Sequence, residues 1–157
     1  MDFNSVLQNR INTYNWTDQI PDQLLIDNII QGIHDFVPSK QRVVRYDIRI
    51  IPTHKMPKLR QKLYKGTEAH PGYAGSRYNP QVLAPYVIAF APRVTLAMTH
   101  SKDYLKYESG VEIGLAAMFV SLAAPVVGLS VGFCACIQNE EDMINDIGIS
   151  PTLYLGI

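Results

Sequence analysis

The sequence predicts an α+β fold, in which helices pack on a sheet and one apolar helix is largely enclosed. Three observations predict it. Residues 22–36 place apolar side chains at helical spacing, residues 43–52 alternate apolar and polar side chains, and residues 113–137 carry no charged side chain. Because both periods recur along the chain, we expect layers of helices and strands around a shared core.

The first half of the chain begins with two predicted helices. Residues 2–10 form a short one. Pro21 fits the first turn of the second, an amphipathic helix over 22–36 that Pro38 ends. Residues 43–52, VVRYDIRIIP, then predict a strand with Val44, Tyr46, Ile48 and Ile50 on one face and Arg45, Asp47 and Arg49 on the other.

The middle of the chain predicts a helix, a long loop and a buried strand. Residues 55–64 are basic and favour a helix. Residues 66–81 hold three glycines and two prolines, which predicts a long loop of the kind that is often functional. Residues 84–90, APYVIAF, form a continuous apolar run and predict a buried central strand.

The uncharged stretch is long enough to raise the alternative of a membrane span. Pro125 and Gly128 divide it, however, into an Ala- and Leu-rich part that favours helix and a part over 129–137 that favours a buried strand. After it, Asn139 can cap a short acidic helix that runs to Asp146, and residues 152–155 predict a last strand. We expect a single domain over residues 1–157.

Composition narrows the classes of function. The formal net charge is zero, which argues against a dedicated nucleic-acid binder. Nine of the 14 basic residues fall between Lys40 and Lys65, which indicates either an anion site or a solvated face. Cys134 and Cys136 are spaced to share one face of a strand, and the polar first ten residues are not a secretion signal, so we expect reduced thiols in a cytoplasmic protein. The four histidines lack ligand spacing, so no metal site is predicted.

Small residues form a stripe on the predicted central helix, at Gly114, Ala117, Ser121 and Ala124. Such stripes let another helix approach closely. The stripe therefore predicts either a homodimer built on this helix or close packing on the chain's own sheet. At 47% hydrophobic and 18% charged residues, the composition also favours an apolar subunit interface.

Three segments in order resemble the FMN-dependent nitroreductase family. The first, NRINTYNWTDQIPDQLLIDNIIQGIHDFVPSKQRVVRYDIRII, has Val37-Pro38-Ser39 at the place of the family's Ala-Pro-Ser and Tyr46 at the place of its Trp. The second, APYVIAFA, is similar to the family's second strand. The third, EIGLAAMFVSLAAPVVGLSVGF, is similar to its long central helix followed by a Gly-Leu-Gly turn.

The resemblance implies a nitroreductase-like fold with a central mixed or antiparallel sheet and a long buried helix at a dimer interface. It implies a flavin phosphate near Arg10, Asn12 and Tyr14, with Pro38 and Ser39 reaching the flavin of the other subunit. The full set of implied FMN-binding residues is Arg10, Asn12, Tyr14, Pro38, Ser39, Gln41, Arg42, Gly128, Leu129 and Ser130.

The implied activity is hydride transfer from NAD(P)H to nitroaromatic, quinone or similar acceptors by a homodimer. Because the flavin carries the chemistry, no catalytic side chain is predicted. No nucleic acid and no membrane is expected among its partners.

The sequence also departs from the family pattern, which supports an alternative. Ile11 stands where a second basic residue is common, Arg42 and Val44 stand where amides are common, and the family's basic C-terminal tail has no counterpart after Leu155. A further polar contact could come from Arg77 or Asn79. The alternative is a non-catalytic dimer of the same fold with a degraded flavin site, in which Arg10 pairs on the surface, Ser39 is only a turn residue and Tyr14 is only a packing residue.

Overall fold

The computed structural model describes residues 2–65, 79–93, 102–135 and 140–157. In these ranges the helices are α1 (Phe3–Asn9), α2 (Gln23–Phe36), α3 (Pro57–Lys65), α4 (Lys102–Val126) and α5 (Glu140–Ile147). The strands are β1 (Tyr46–Ile51), β2 (Val87–Pro92), β3 (Gly132–Cys134) and β4 (Leu153–Gly156). The predicted α+β class and the predicted order of elements are confirmed. Most of the predicted loop at 66–81, together with Arg77, Cys136 and Asn139, lies outside the described residues.

Aspartates begin the first two helices. The Asp2 carboxylate accepts the backbone N–H of Ser5 at 3.1 Å, and that of Asp22 accepts the N–H of Leu24 at 2.9 Å. These bonds satisfy N–H groups that the first helical turn leaves without partners. The periodic apolar face of α2 is buried as predicted, through Ile26, Ile29 and Ile33.

The four strands form one antiparallel sheet in the order β1-β2-β4-β3. Ile48 pairs with Phe90, Ile88 with Leu155, and Gly132 with Gly156. The two inner strands are β2 and β4, and every residue of β2 from Val87 to Ala91 is buried. The prediction of a buried central strand is therefore confirmed.

Tertiary contacts move the strand boundaries from those predicted. β1 begins at Tyr46 rather than at Val43, because residues 40–45 form a tight turn held by α4. β2 begins at Val87 rather than at Ala84, since the Pro85 carbonyl accepts hydrogen bonds from the Thr53 hydroxyl at 2.9 Å and the His54 N–H at 3.2 Å. Backbone groups bound in this way are not available to a strand ladder.

Each face of the sheet has its own apolar core. On one face α2 and α4 pack around Tyr46, Ile88, Phe90 and Leu155. On the other, α3 and α5 pack through Leu63 and Met143 among other side chains. The helices thus cover both faces, and the long helix α4 lies on the first.

One face of α4 is buried and the opposite face is exposed. Ile113, Ala116, Val120 and Ala124 pack in the core, whereas Tyr107, Val111, Leu115 and Met118 are exposed. The segment Tyr107–Val126 is long and apolar enough to cross a membrane by length and composition, with 44% of its most apolar window buried. Core helices pass the same test, and α4 packs on α1, α2, β1 and β2.

Candidate functional site

The chain between α1 and α2 lies against the segment that follows α4. The backbone N–H of Thr13 donates to the Val131 carbonyl at 3.0 Å, and Asn12 forms a parallel bridge with Val131. The side-chain oxygen of Asn12 accepts the N–H of Phe133 at 2.7 Å. Two regions more than a hundred residues apart are therefore joined.

Asn12 also orients Tyr14. Its amide nitrogen donates to the Tyr14 hydroxyl oxygen at 2.6 Å. The Phe133 N–H is a donor and requires an acceptor, so the atom of the Asn12 amide that faces it is the oxygen. The Tyr14 hydroxyl oxygen thus accepts a hydrogen bond from Asn12. Because the Tyr14 side chain is 58% exposed, its O–H can donate to a group outside the protein.

Arg10 lies at the end of α1, two residues before Asn12. Its backbone N–H donates to the Val6 carbonyl at 3.0 Å and closes the helix. The residue is half-buried, and its guanidinium forms no ion pair with any residue that the structure describes. A fixed cation without an internal carboxylate partner is suited to binding an external anion.

The turn after α4 is a Schellman motif that ends the helix at Gly128. The N–H of Leu129 donates to the Ala124 carbonyl at 2.9 Å, and that of Gly128 to the Pro125 carbonyl at 3.2 Å. Gly128 has φ of +76°, the left-handed conformation that this position favours and that glycine adopts without strain. The predicted turn at Gly128, Leu129 and Ser130 is confirmed as a turn.

A cavity of about 220 Å³ opens beside this turn. Its lining mixes polar and apolar residues without a charged side chain, and consists of Thr13, Asn15, Trp16, Thr17, Gln19, Pro21, Pro85, Gly128, Leu129, Ser130 and Ile157. The predicted residues Gly128, Leu129 and Ser130 line it, but Arg10, Asn12 and Tyr14 do not. The cavity and the exposed surface around Tyr14 are therefore two separate places on this part of the molecule.

Close packing holds the junction together at Gly132. A Cβ atom there would overlap the Thr13 carbonyl oxygen and the side-chain amide of Gln81. Gln81 is fully buried, and neither end of its amide has a hydrogen-bond partner among the described residues. Asn79, one of the two alternatives for a further polar contact, is also buried and accepts the Gln81 N–H at 2.9 Å.

The second group of predicted residues lies elsewhere, in the turn between α2 and β1. Pro38, Gln41 and Arg42 are exposed and Ser39 is half-buried. Gln41 and Arg42 have φ of 58° and 59°, so two consecutive residues with side chains occupy the left-handed region. Strain of this kind persists only where the surroundings enforce it.

Several solved structures of bacterial proteins share this architecture. A nitroreductase family protein from Streptococcus pneumoniae TIGR4 matches with a TM-score of 0.75 at 15% identity, covering 99% of this chain and 88% of that one. A Staphylococcus epidermidis protein described as an NAD(P)H:FMN oxidoreductase matches with a TM-score of 0.77 at 15% identity, over 99% and 85% of the two chains. The enone reductase CLA-ER of gut-bacterial fatty acid saturation matches with a TM-score of 0.76 at 15% identity, over 99% and 87%.

The chain has the nitroreductase fold. No family model and no curated protein matches the sequence. Its similarity to the solved structures therefore lies in the arrangement of helices and strands and not in sequence identity.

In this nitroreductase fold the two groups of predicted residues lie at different positions along α4. Arg10, Asn12 and Tyr14 lie near the turn at Gly128, which follows the C-terminal end of the helix, while the turn at 39–45 is bound to Glu112 near the middle of the helix. Val126, the last helical residue, comes fourteen positions after Glu112, about 21 Å at the rise of an α-helix. One chain therefore does not bring all the predicted residues together.

The sequence did not predict that Arg45 and Glu112 are buried and paired. Arg45 was predicted on the polar face of the strand but is only 6% exposed, and Glu112 is 5% exposed. Their ion pair joins Nη1 of Arg45 to Oε1 of Glu112 at 3.1 Å. One feature of the sequence points to Glu112, which is the last charged residue before the long uncharged stretch.

Proposed function

We propose that this chain is an FMN-dependent oxidoreductase of the nitroreductase family that acts as a homodimer. It would use NAD(P)H to reduce nitroaromatic, quinone or related acceptors. Two observations carry the proposal in a chain with the nitroreductase fold: the Arg10 guanidinium forms no ion pair with any described residue, and the exposed Tyr14 hydroxyl follows it four positions later in the chain.

Arg10 and Tyr14 fit the phosphate of FMN. A phosphate monoester requires a fixed cation and oriented donors, and Arg10 supplies the cation. Tyr14 supplies an O–H that Asn12 orients through its own bond to the Phe133 N–H. Asn12 thus acts in this proposal as a support for Tyr14 rather than as a direct ligand.

Exposed apolar side chains next to these groups fit a flat ring. Ile11 is 65% exposed and Phe133 is 51% exposed, on either side of the Asn12 contact. Flavin rings bind in apolar slots with a few polar groups at the edge. The residues Gly128, Leu129 and Ser130 line the cavity beside the turn rather than this surface.

A second copy of the chain would complete the site. The exposed face of α4 at Val111, Leu115 and Met118 is apolar and has no partner within the described chain. If two such faces pack about a two-fold axis with antiparallel helices, the turn held by Glu108 and Glu112 in one subunit faces the C-terminal half of α4 in its partner. Pro38, Ser39 and Gln41 of one subunit would then approach the flavin bound by the other.

FMN, when bound, would accept hydride from the nicotinamide and pass electrons to the acceptor. The chain's own residues would bind its phosphate, orient its ring and exclude water at the dimer interface. No side-chain acid or base is required in this scheme.

A second candidate function is a non-catalytic dimer with the same fold. One observation favours it: both polar ends of the Asn12 amide are engaged inside the protein, so one of the expected ligands has a structural role. Tight FMN binding together with NAD(P)H-driven reduction of an acceptor would exclude this candidate.

A direct test titrates the purified, flavin-stripped protein with FMN and with riboflavin, and follows the quenching of flavin fluorescence. We expect FMN to bind more tightly than riboflavin, and Arg10→Gln to remove that difference. Arg49→Gln is a matched control, because Arg49 is exposed on β1 and lies outside the proposed site. If neither flavin binds the wild-type chain, the proposal is wrong.

A further inference from the structure

The turn at residues 40–45 is closed by a single carboxylate. Oε1 of Glu112 accepts the backbone N–H of Lys40 and Oε2 accepts that of Arg45, both at 3.0 Å. Nη1 of Arg45 also donates to the Lys40 carbonyl at 3.1 Å. Both ends of the turn are thereby fixed to α4, and the residues between them protrude.

The charges of this turn leave one cation in excess. Lys40 forms an ion pair with Glu108, and Arg45 pairs with Glu112 at 3.1 Å and with Glu108 at 3.3 Å. Arg42 is exposed and forms no ion pair with any residue in the described part of the chain. Two glutamates therefore neutralise two cations, and the Arg42 guanidinium is free to bind an external anion.

The backbone conformation at Arg42 is enforced rather than relaxed. Gln41 and Arg42 both have φ near +60°, which residues with side chains rarely adopt in succession. The bonds from Glu112 to Lys40 and Arg45 close the turn around them. Because strained backbone is maintained only by such constraints, losing Glu112 should release Arg42 from its present position.

We propose that Arg42, which the resemblance assigned to the flavin, instead binds a phosphate group of the incoming nicotinamide dinucleotide, and that Glu112 is a positioning residue that acts through the turn. This rests on the proposed function, in which Arg10 already binds the flavin phosphate near the C-terminal end of α4. The phosphate bound by Arg42 is either the 2′-phosphate, found only in NADPH, or the pyrophosphate, which NADPH and NADH share.

The experiment compares three hydride donors on the protein as purified: NADPH, NADH and 1-benzyl-1,4-dihydronicotinamide, which has no phosphate. For Arg42→Gln we expect kcat/KM to fall about tenfold or more for a phosphate-bearing donor, the loss typical of a charge-assisted hydrogen bond. The phosphate-free donor should be unaffected. A loss with NADPH alone assigns the 2′-phosphate, and an equal loss with NADPH and NADH assigns the pyrophosphate.

The positioning role is tested by coupling between the two residues. Glu112→Gln should lower kcat/KM for the same donors as Arg42→Gln, and the double variant should lose no more than Arg42→Gln alone. A merely structural role would reduce activity with the phosphate-free donor as well. If Glu112→Gln does not fold, Glu108→Gln, which releases Lys40 at one end of the turn, takes its place.

Unchanged donor selectivity in Arg42→Gln would overturn the proposal, as would equal losses with all three donors. Arg49→Gln is again the control for a lost exposed cation. Flavin content is measured separately on every sample. If the wild-type chain holds no flavin, the proposed function fails, and direct titration with NADPH and NADH by dinucleotide fluorescence then decides whether Arg42 contributes to binding.

Discussion

Arg45 and Glu112 are 67 positions apart in the chain, yet they form a buried ion pair at 3.1 Å that joins the residue just before β1 to α4. The pair does more than join two elements, because Glu112 also accepts the backbone N–H groups of Lys40 and Arg45. A single carboxylate therefore fixes where β1 begins and how the preceding turn is shaped.

Removing one partner of this pair should be strongly destabilising. Glu112→Ala leaves the buried Arg45 guanidinium with Glu108 as its remaining carboxylate and removes the acceptor of two backbone N–H groups, and we expect the free energy of unfolding to fall by about 3 kcal/mol. The double variant Arg45→Met/Glu112→Leu should recover part of that loss, since it removes both charges of the pair and Glu108 keeps its ion pair with Lys40. Urea denaturation monitored by circular dichroism measures both effects.

The exposed ion pair of Asp47 and Arg93 gives a matched comparison for that prediction. Its side chains are 41% and 47% exposed, and Asp47→Asn should change stability by no more than about 1 kcal/mol. Similar small losses in Glu112→Ala and Asp47→Asn would show that the buried pair is not the constraint inferred here.

Gly132→Ala should disrupt the junction that supports the candidate site. An added Cβ overlaps the Thr13 carbonyl and the Gln81 amide, so the variant should lose about 1–3 kcal/mol of stability. Its FMN affinity should fall too, because Thr13 lies between Asn12 and Tyr14. Gly110→Ala is the control: nothing lies within 4 Å of its added Cβ, and alanine favours the helix. A Gly132→Ala protein as stable as the control would contradict the packing described.

Charge on the exposed face of α4 should separate the subunits. Leu115 is 44% exposed in the single chain, and Leu115→Glu should convert a dimer to a monomer in sedimentation or light-scattering measurements. Burial of an unpaired carboxylate in an apolar interface is unfavourable. Leu24→Glu, at a 62% exposed leucine in the first turn of α2, should leave the assembly unchanged. A wild-type monomer would contradict the proposed interface.

The free energy of unfolding should decrease at alkaline pH, in part because the pKa of Tyr154 differs between the folded and unfolded chain. Burial, followed by the nearby charge of Asp146, raises the pKa of this tyrosine well above its ordinary value of 10.0. In the unfolded chain it ionises near pH 10, so its contribution is complete below that pH and is lost as pH rises further. The slope amounts to about 1.4 kcal/mol per pH unit.

Tyr154→Phe should therefore flatten the alkaline part of a plot of unfolding free energy against pH. Tyr14→Phe, at an exposed tyrosine, should leave that part unchanged. Equal alkaline slopes in wild type and Tyr154→Phe would show that this tyrosine does not cause the decline.

The sequence predicted those parts of the fold that local patterns determine. The period of α2, the continuous apolar run of β2 and the turn at Gly128 after α4 each follow from a few neighbouring residues, and each was predicted correctly. The strand boundaries were predicted less well. The start of β1 depends on Glu112, a residue 67 positions away that a local window does not contain.

The candidate site was less predictable because its parts lie at separate positions along one helix. Asn12 was predicted to contact the cofactor, and its hydrogen bonds to the Phe133 N–H and the Tyr14 hydroxyl were not predictable from a local pattern. The small-residue stripe also differs from expectation. It runs from exposed Gly114 to buried Ala124, and the exposed apolar face lies beside it at Val111, Leu115 and Met118.

The measurement that tests the central claim most directly is the visible absorption spectrum of the purified protein, before and after addition of FMN and gel filtration. We expect a protein-bound flavin spectrum with one flavin per chain, which is bleached by NAD(P)H without oxygen and restored by an acceptor such as a quinone. A protein that remains colourless after incubation with FMN would contradict the account.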